Sequence, residues 1–156
     1  MNATKCGDMQ SVHPPGSAGL PLEPTTSIMG RERWATAFPW RMILERDVPL
    51  AFGTDWPVSP LSPLYALHCA LTRTPWADDM PDQRISLDAC LAAYTTGGAY
   101  ADFSEDRRGA LKSGFDADLV LIDGDLEGLV KSADAASIAM TICDGNITYR
   151  DTSACP

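Results

Sequence analysis

The stretch Val48–Ser62, VPLAFGTDWPVSPLS, constrains the fold more than any other part of the chain. Val48, Pro49, Leu50, Ala51 and Phe52 form an apolar run without the alternation of a half-exposed strand. That pattern predicts a strand covered on both faces, as in a parallel sheet. Gly53 and Thr54 close the run, and the carboxylate of Asp55 follows at once. Trp56, Pro57 and Pro60 then hold the backbone in an irregular loop. Ser62 supplies a helix N-cap and Pro63 a first helical residue. Strand, carboxylate, loop and helix together make one β/α unit.

The segments around this unit read as follows. Met9–Val12 fits the end of a strand, with His13 at its carboxyl end and a loop rich in Pro, Gly, Ser and Thr after it. His13 can contribute to a site in that loop, or simply bond to backbone or water. Arg31–Asp47 has helical tendency and should break or kink at Pro39. Its Arg31, Arg33 and Arg41 fit surface ion pairs better than an acidic substrate. Pro63–Thr72 predicts a helix with Leu64, Leu67, Cys69 and Leu71 largely along one side, and His68 packed in a helix interface. Asp78 and Asp79 lack calcium-loop spacing and read as a solvated turn. Ser86–Tyr94 predicts a second capped helix, ended by Thr95–Gly98, with a short turn of helix over Ala99–Phe103.

From Glu105 the period changes to that of strands. Asp144-Gly145, with Asn146 beside it and Ile142 and Ile147 as flanks, signals a hairpin. Asp116, Asp118, Asp123 and Asp125 read as turn residues at strand ends. The Gly97-Gly98 pair lacks the spacing of a phosphate loop.

GTDWPVSPLSPLYALHCALTR resembles the last barrel strand and loop of metal-dependent amidohydrolases, in the branch of the N-substituted formamide deformylases. GRERWATAFPWRMILERDVPLAFG resembles the helix that feeds that strand. GALKSGFDADLVLID resembles the return of the chain into the small β-sandwich beside the barrel. The resemblance spans roughly Met9 to Arg150. It implies an α/β fold made of the C-terminal part of a (β/α)8 barrel over residues 1–104 and part of a β-sandwich over 105–156. A barrel alone takes about 250 residues, so the resemblance implies a portion of a larger enzyme.

Composition narrows the partners. Of the 156 residues, 45% are hydrophobic, and the net charge is −9, which argues against nucleic acid, whose phosphates call for Lys and Arg. The apolar runs fall short of the ~20 residues of a membrane span. The first ten residues lack the apolar core of a signal peptide. The five cysteines form no C-x-x-C pair, so neither a disulfide framework nor a zinc knuckle is expected. Reduced thiols in a cytoplasmic protein fit best. An open strand edge predicts self-association.

Amidohydrolases split C–N bonds other than peptide bonds with a metal-activated water. By resemblance, Asp55 is the carboxylate that takes the water's proton and also touches the metal. Trp56 and Pro57 shape the wall beside it, and His13 contacts substrate. The implied cofactor is a divalent metal, zinc in expectation, and the implied substrate a small amide-type molecule. The sequence has His13 and His68 as its two histidines and no H-x-H, whereas a zinc site takes three or four protein ligands. The chain by itself is therefore expected to be inactive and to hold no metal. The alternative is a non-catalytic α/β binding or assembly module derived from such an enzyme.

Overall fold

A computed structural model describes residues 25–54, 56–57 and 60–152. Helix α1 (Thr25–Met29) is followed by a 3-10 turn over Arg31–Thr36 and by α2 (Trp40–Leu44). The break expected at Pro39 is present, with Phe38 in the left-handed region at φ 48°. Arg31, Arg33 and Arg41 all make ion pairs, with Asp79, Glu32 and Glu45 respectively.

Helix α3 (Pro63–Thr72) begins as the sequence predicts. The Ser62 hydroxyl accepts from the Tyr65 amide at 3.3 Å, and Pro63 stands at the start, where its missing N–H is not needed. Helix α4 (Leu87–Tyr94) repeats the device, with Ser86 accepting from the Ala89 amide at 3.2 Å. Helix α5 (Thr96–Ala101) departs from expectation. Gly97 and Gly98 lie inside it rather than ending α4, because the tight packing described below demands a glycine in this helix.

Val48–Phe52 also departs from expectation. The run takes no regular secondary structure and joins no ladder with any described residue. A strand is defined by partners, and the run makes isolated bonds with the described residues: the Val48 amide donates to the Ile43 carbonyl at 3.3 Å and the Phe52 amide to that of Ala93 at 3.0 Å. Burial of the run was read correctly at Leu50, which is 4% exposed.

The strands form one antiparallel sheet in the order β1 (Leu119–Gly124), β2 (Ala136–Cys143), β3 (Asn146–Arg150). The β2–β3 hairpin turns at Asp144 and Gly145, both at positive φ (49° and 75°), as a two-residue turn matched to strand twist requires. Between β1 and β2 the chain makes 3-10 turns over Glu127–Val130 and Ala133–Ala135. These turns carry Leu129, which is fully buried in the same core as Trp40, Leu64, Leu67 and Cys90. Ile122 and Ile138 pack on that core from the base of the sheet. No second sheet is seen among the described residues. No helix among them is long and apolar enough to cross a membrane.

Candidate functional site

The segment that leads to the Asp55 motif is held from several sides. The Leu50 side chain enters the core, and the Phe52 ring stands edge-on to Trp40 (centroids 5.7 Å apart) and to Tyr94 (5.5 Å). Edge-to-face pairs of this kind add to the area they bury and fix ring orientation. The bond from the Phe52 amide to the Ala93 carbonyl ties the backbone at Phe52 to the end of α4.

Asp55 and His13 lie outside the described residues, as do Val58 and Ser59. Trp56 and Pro57 are described. They occupy a turn through a cis peptide bond, and Trp56 is 65% exposed. Leu61, at the end of the same loop, is exposed as well. Trp56 thus presents a broad apolar surface to its surroundings from a loop anchored behind by Phe52 and ahead by the Ser62 cap.

His68 sits in an interface, as its sequence context suggests. Its Nδ1 lies 2.6 Å from the Leu129 carbonyl oxygen, which can only accept, so Nδ1 carries the proton and donates it. Among the described residues, no three His, Cys, Asp or Glu side chains are grouped so as to hold a metal ion. The described residues therefore do not fit the divalent metal that the resemblance implies. Asp116 and Asp118 are engaged with Arg107 and Arg108, and Asp118 also accepts from the Asp144 amide.

Two features had no signature in the sequence. Arg73 is only 5% exposed, yet its guanidinium donates to the carbonyls of Phe38 (2.5 Å) and Ala37 (2.7 Å) and lies over the Trp40 ring. Burial lowers its pKa to about 10, with Asp82 opposing the shift. Its acceptors are backbone atoms more than thirty positions away, which no residue pattern announces. The second feature is a pair of tyrosine–cysteine combinations, Tyr65 with Cys69 on α3 and Cys90 with Tyr94 on α4. Tyr94 packs against Cys69, and its hydroxyl is buried with no hydrogen-bond partner among the described residues. Burial pushes the Cys90 thiol up to about 12 and, with Cys90 and Cys69 nearby, the Tyr94 hydroxyl likewise to about 12.

The sequence profile of the amidohydrolase family matches residues 9–149. The chain belongs to the amidohydrolase family. It is similar to the YtcJ protein of Bacillus subtilis strain 168, with 27% identity over 128 residues, 78% of this chain and 24% of that protein. Protein LONG AFTER FAR-RED 3 of Arabidopsis thaliana is 30% identical over 125 residues, again 78% of this chain, and 21% of that protein. The N-substituted formamide deformylase of Arthrobacter pascens is 26% identical over 120 residues, 75% of this chain and 22% of that enzyme. This chain thus spans less than a quarter of the length of the curated relatives it matches. Among solved structures, an amidohydrolase from Thermotoga maritima MSB8 superposes with a TM-score of 0.56 at 24% identity. The match covers 76% of this chain and 26% of that one, and it supports the mixed α/β fold.

Proposed function

We propose that this chain forms the C-terminal portion of an amidohydrolase that hydrolyses a non-peptide C–N bond in a small amide-type substrate. In this reading residues 1–104 belong to the (β/α)8 barrel and 105–156 to the small β-sandwich. Asp55 takes a proton from the attacking water and returns it to the nitrogen as the C–N bond breaks. Trp56 and Pro57 wall the substrate, and His13 contacts it from a second loop. The observation that supports the reading is the family match, which spans Gly53–Val58, GTDWPV. The described residues supply no ligand set for the family's metal, zinc in expectation, so the chain by itself is proposed to be inactive. Cys69, Cys90 and Cys143 form no disulfide among the described residues, which supports a reducing, cytoplasmic setting.

A second reading, a non-catalytic binding or assembly module on the same fold, draws on the exposed Val120, Ile147 and Tyr149 of the sheet. One substitution separates the two. Asp55→Asn keeps the shape and removes the base, in protein expressed from the complete gene with zinc and assayed on N-formyl and N-acyl amines. Turnover should fall by about 10²–10⁴-fold, while Asp118→Asn, just before β1, leaves it near normal. Near-normal turnover by a folded, zinc-loaded Asp55→Asn enzyme would refute the carboxylate assignment.

A further inference from the structure

The two glycines of α5 stand in different surroundings. A Cβ built on Gly97 would lie 2.0 Å from the Leu50 carbonyl oxygen and 3.2 Å from that of Ala92. A Cβ on Gly98 would meet nothing within 4 Å. The first contact is with backbone, which cannot swing aside as a long side chain can. The absent side chain of Gly97 therefore lets the Leu50 carbonyl lie directly on α5.

Two further contacts fix the same segment from the same side. The Phe52 amide donates to Ala93 O at 3.0 Å, and the Phe52 ring meets Tyr94 of α4 edge-on. Leu50, Phe52 and Gly97 thus set where the backbone stands as it reaches Thr54, one residue before the proposed base.

We propose that Gly97 is a positioning residue for the hydrolytic reaction, acting through the Leu50 carbonyl on the Phe52–Thr54 backbone. The proposal rests on the assignment of Asp55 made above. Reacting groups lose on the order of 10²-fold in rate when displaced by about 1 Å, and an alanine at Gly97 has to move the segment to fit.

The test pairs Gly97→Ala with Gly98→Ala. Both exchange a helical glycine for alanine and gain similar helix propensity. Amide resonances of Leu50–Thr54 are followed in the 156-residue chain, and kcat and KM in protein expressed from the complete gene with zinc. Gly97→Ala should shift the Ala51–Thr54 resonances and lower kcat on the order of 10²-fold, with KM changed far less. Gly98→Ala should do neither. If Gly97→Ala does not fold, Phe52→Leu replaces it; it removes the two ring contacts on the same segment and should give the same split between kcat and KM. Unmoved resonances in folded Gly97→Ala, or moved resonances with unchanged kcat in either variant, overturn the proposal. Full turnover by Asp55→Asn removes the carboxylate reading and the catalytic consequence drawn here, whereas unmoved resonances remove the positioning role alone.

Discussion

Trp40 and Tyr149 are both large aromatic residues in regular secondary structure, yet one is 1% exposed and the other 49%. Trp40 belongs to the helical region, where Phe38, Phe52, Trp76 and Tyr94 continue a chain of edge-to-face rings and Arg73 lies over the Trp40 ring. Tyr149 belongs to the sheet, whose outer strand β3 is exposed along its whole length. Among the described residues, the sheet joins the common core only at its base, through Ile122, Ala136, Ile138 and the Leu129 turn. The helical region is held by side chains that bury one another. The sheet is held by its ladder and by one anchored end, and its remaining apolar surface is uncovered among the described residues. The GTDWPV loop departs from the first kind of region, on a backbone fixed by packing.

The largest test of this contrast is truncation. Trp40→Ala removes a fully buried ring and leaves a cavity bounded by Phe38, Phe52 and Arg73, so it should destabilise by about 3–5 kcal/mol. Tyr149→Ala removes a half-exposed ring and should cost well under half as much. Urea unfolding of both variants measures the difference. Equal losses would mean that the sheet shares a core as tight as that of the helices.

Much of the helical region was legible because its signals are local. Ser62-Pro63 and Ser86 start helices by bonding amides three residues on, and Pro39 breaks a helix through its own ring. The Asp144-Gly145 hairpin was equally plain, since positive φ at both positions is a property of those residues. The misreadings came where distant groups decide. Val48–Phe52 has the composition of a strand, but strand pairing needs partners that the described residues do not provide. Gly97-Gly98 has the composition of a helix stop, yet Gly97 is a glycine because Leu50 O presses on it. Arg73 looks like a surface charge until the carbonyls of Ala37 and Phe38 are seen beside it. Asp55 and His13, the residues on which the chemical reading leans, fall outside the described residues, so the site was legible as a motif and not as a geometry.

A smaller effect distinguishes the regions at alkaline pH. Cys90 and Tyr94 hold their protons more tightly folded than unfolded, chiefly because burial disfavours their charged forms. The unfolded thiol ionises near 8.5 and the unfolded phenol near 10. The native state therefore binds more protons than the unfolded state as pH rises from about 8.5 toward 12. Stability is whole below that window and is lost progressively through it. Arg73 acts in the opposite sense, since its lowered pKa makes stability rise above about 10. The clean window thus lies between about pH 8.5 and 10. There Cys90→Ala should flatten the decline in stability with pH relative to the unsubstituted protein. Chemical denaturation at a series of pH values reads both slopes. Matching slopes would mean that the Cys90 thiol is not held neutral by its surroundings.

The smallest change in stability belongs to β3, and its consequence is association. Ile147 and Tyr149 are 52% and 49% exposed, on a strand that pairs, among the described residues, on one side only, with β2. Such an edge offers free amides and carbonyls to another strand, and apolar side chains beside it strengthen the match. Lysine on an edge strand opposes that pairing, because a second copy would bring like charges together and bury them. Ile147→Lys with Tyr149→Lys should therefore move the midpoint of unfolding little, since neither side chain is in the core and exposed substitutions usually lie within about 0.5 kcal/mol. We expect the unsubstituted 156-residue chain to elute in a concentration-dependent way in size-exclusion chromatography, and the same pair to convert that to a single smaller species. If association persists unchanged in the doubly substituted chain, β3 is not the surface through which copies meet. If instead the substitutions destabilise by as much as Trp40→Ala, the exposed sheet is packed as firmly as the helical core and the contrast between the two regions fails.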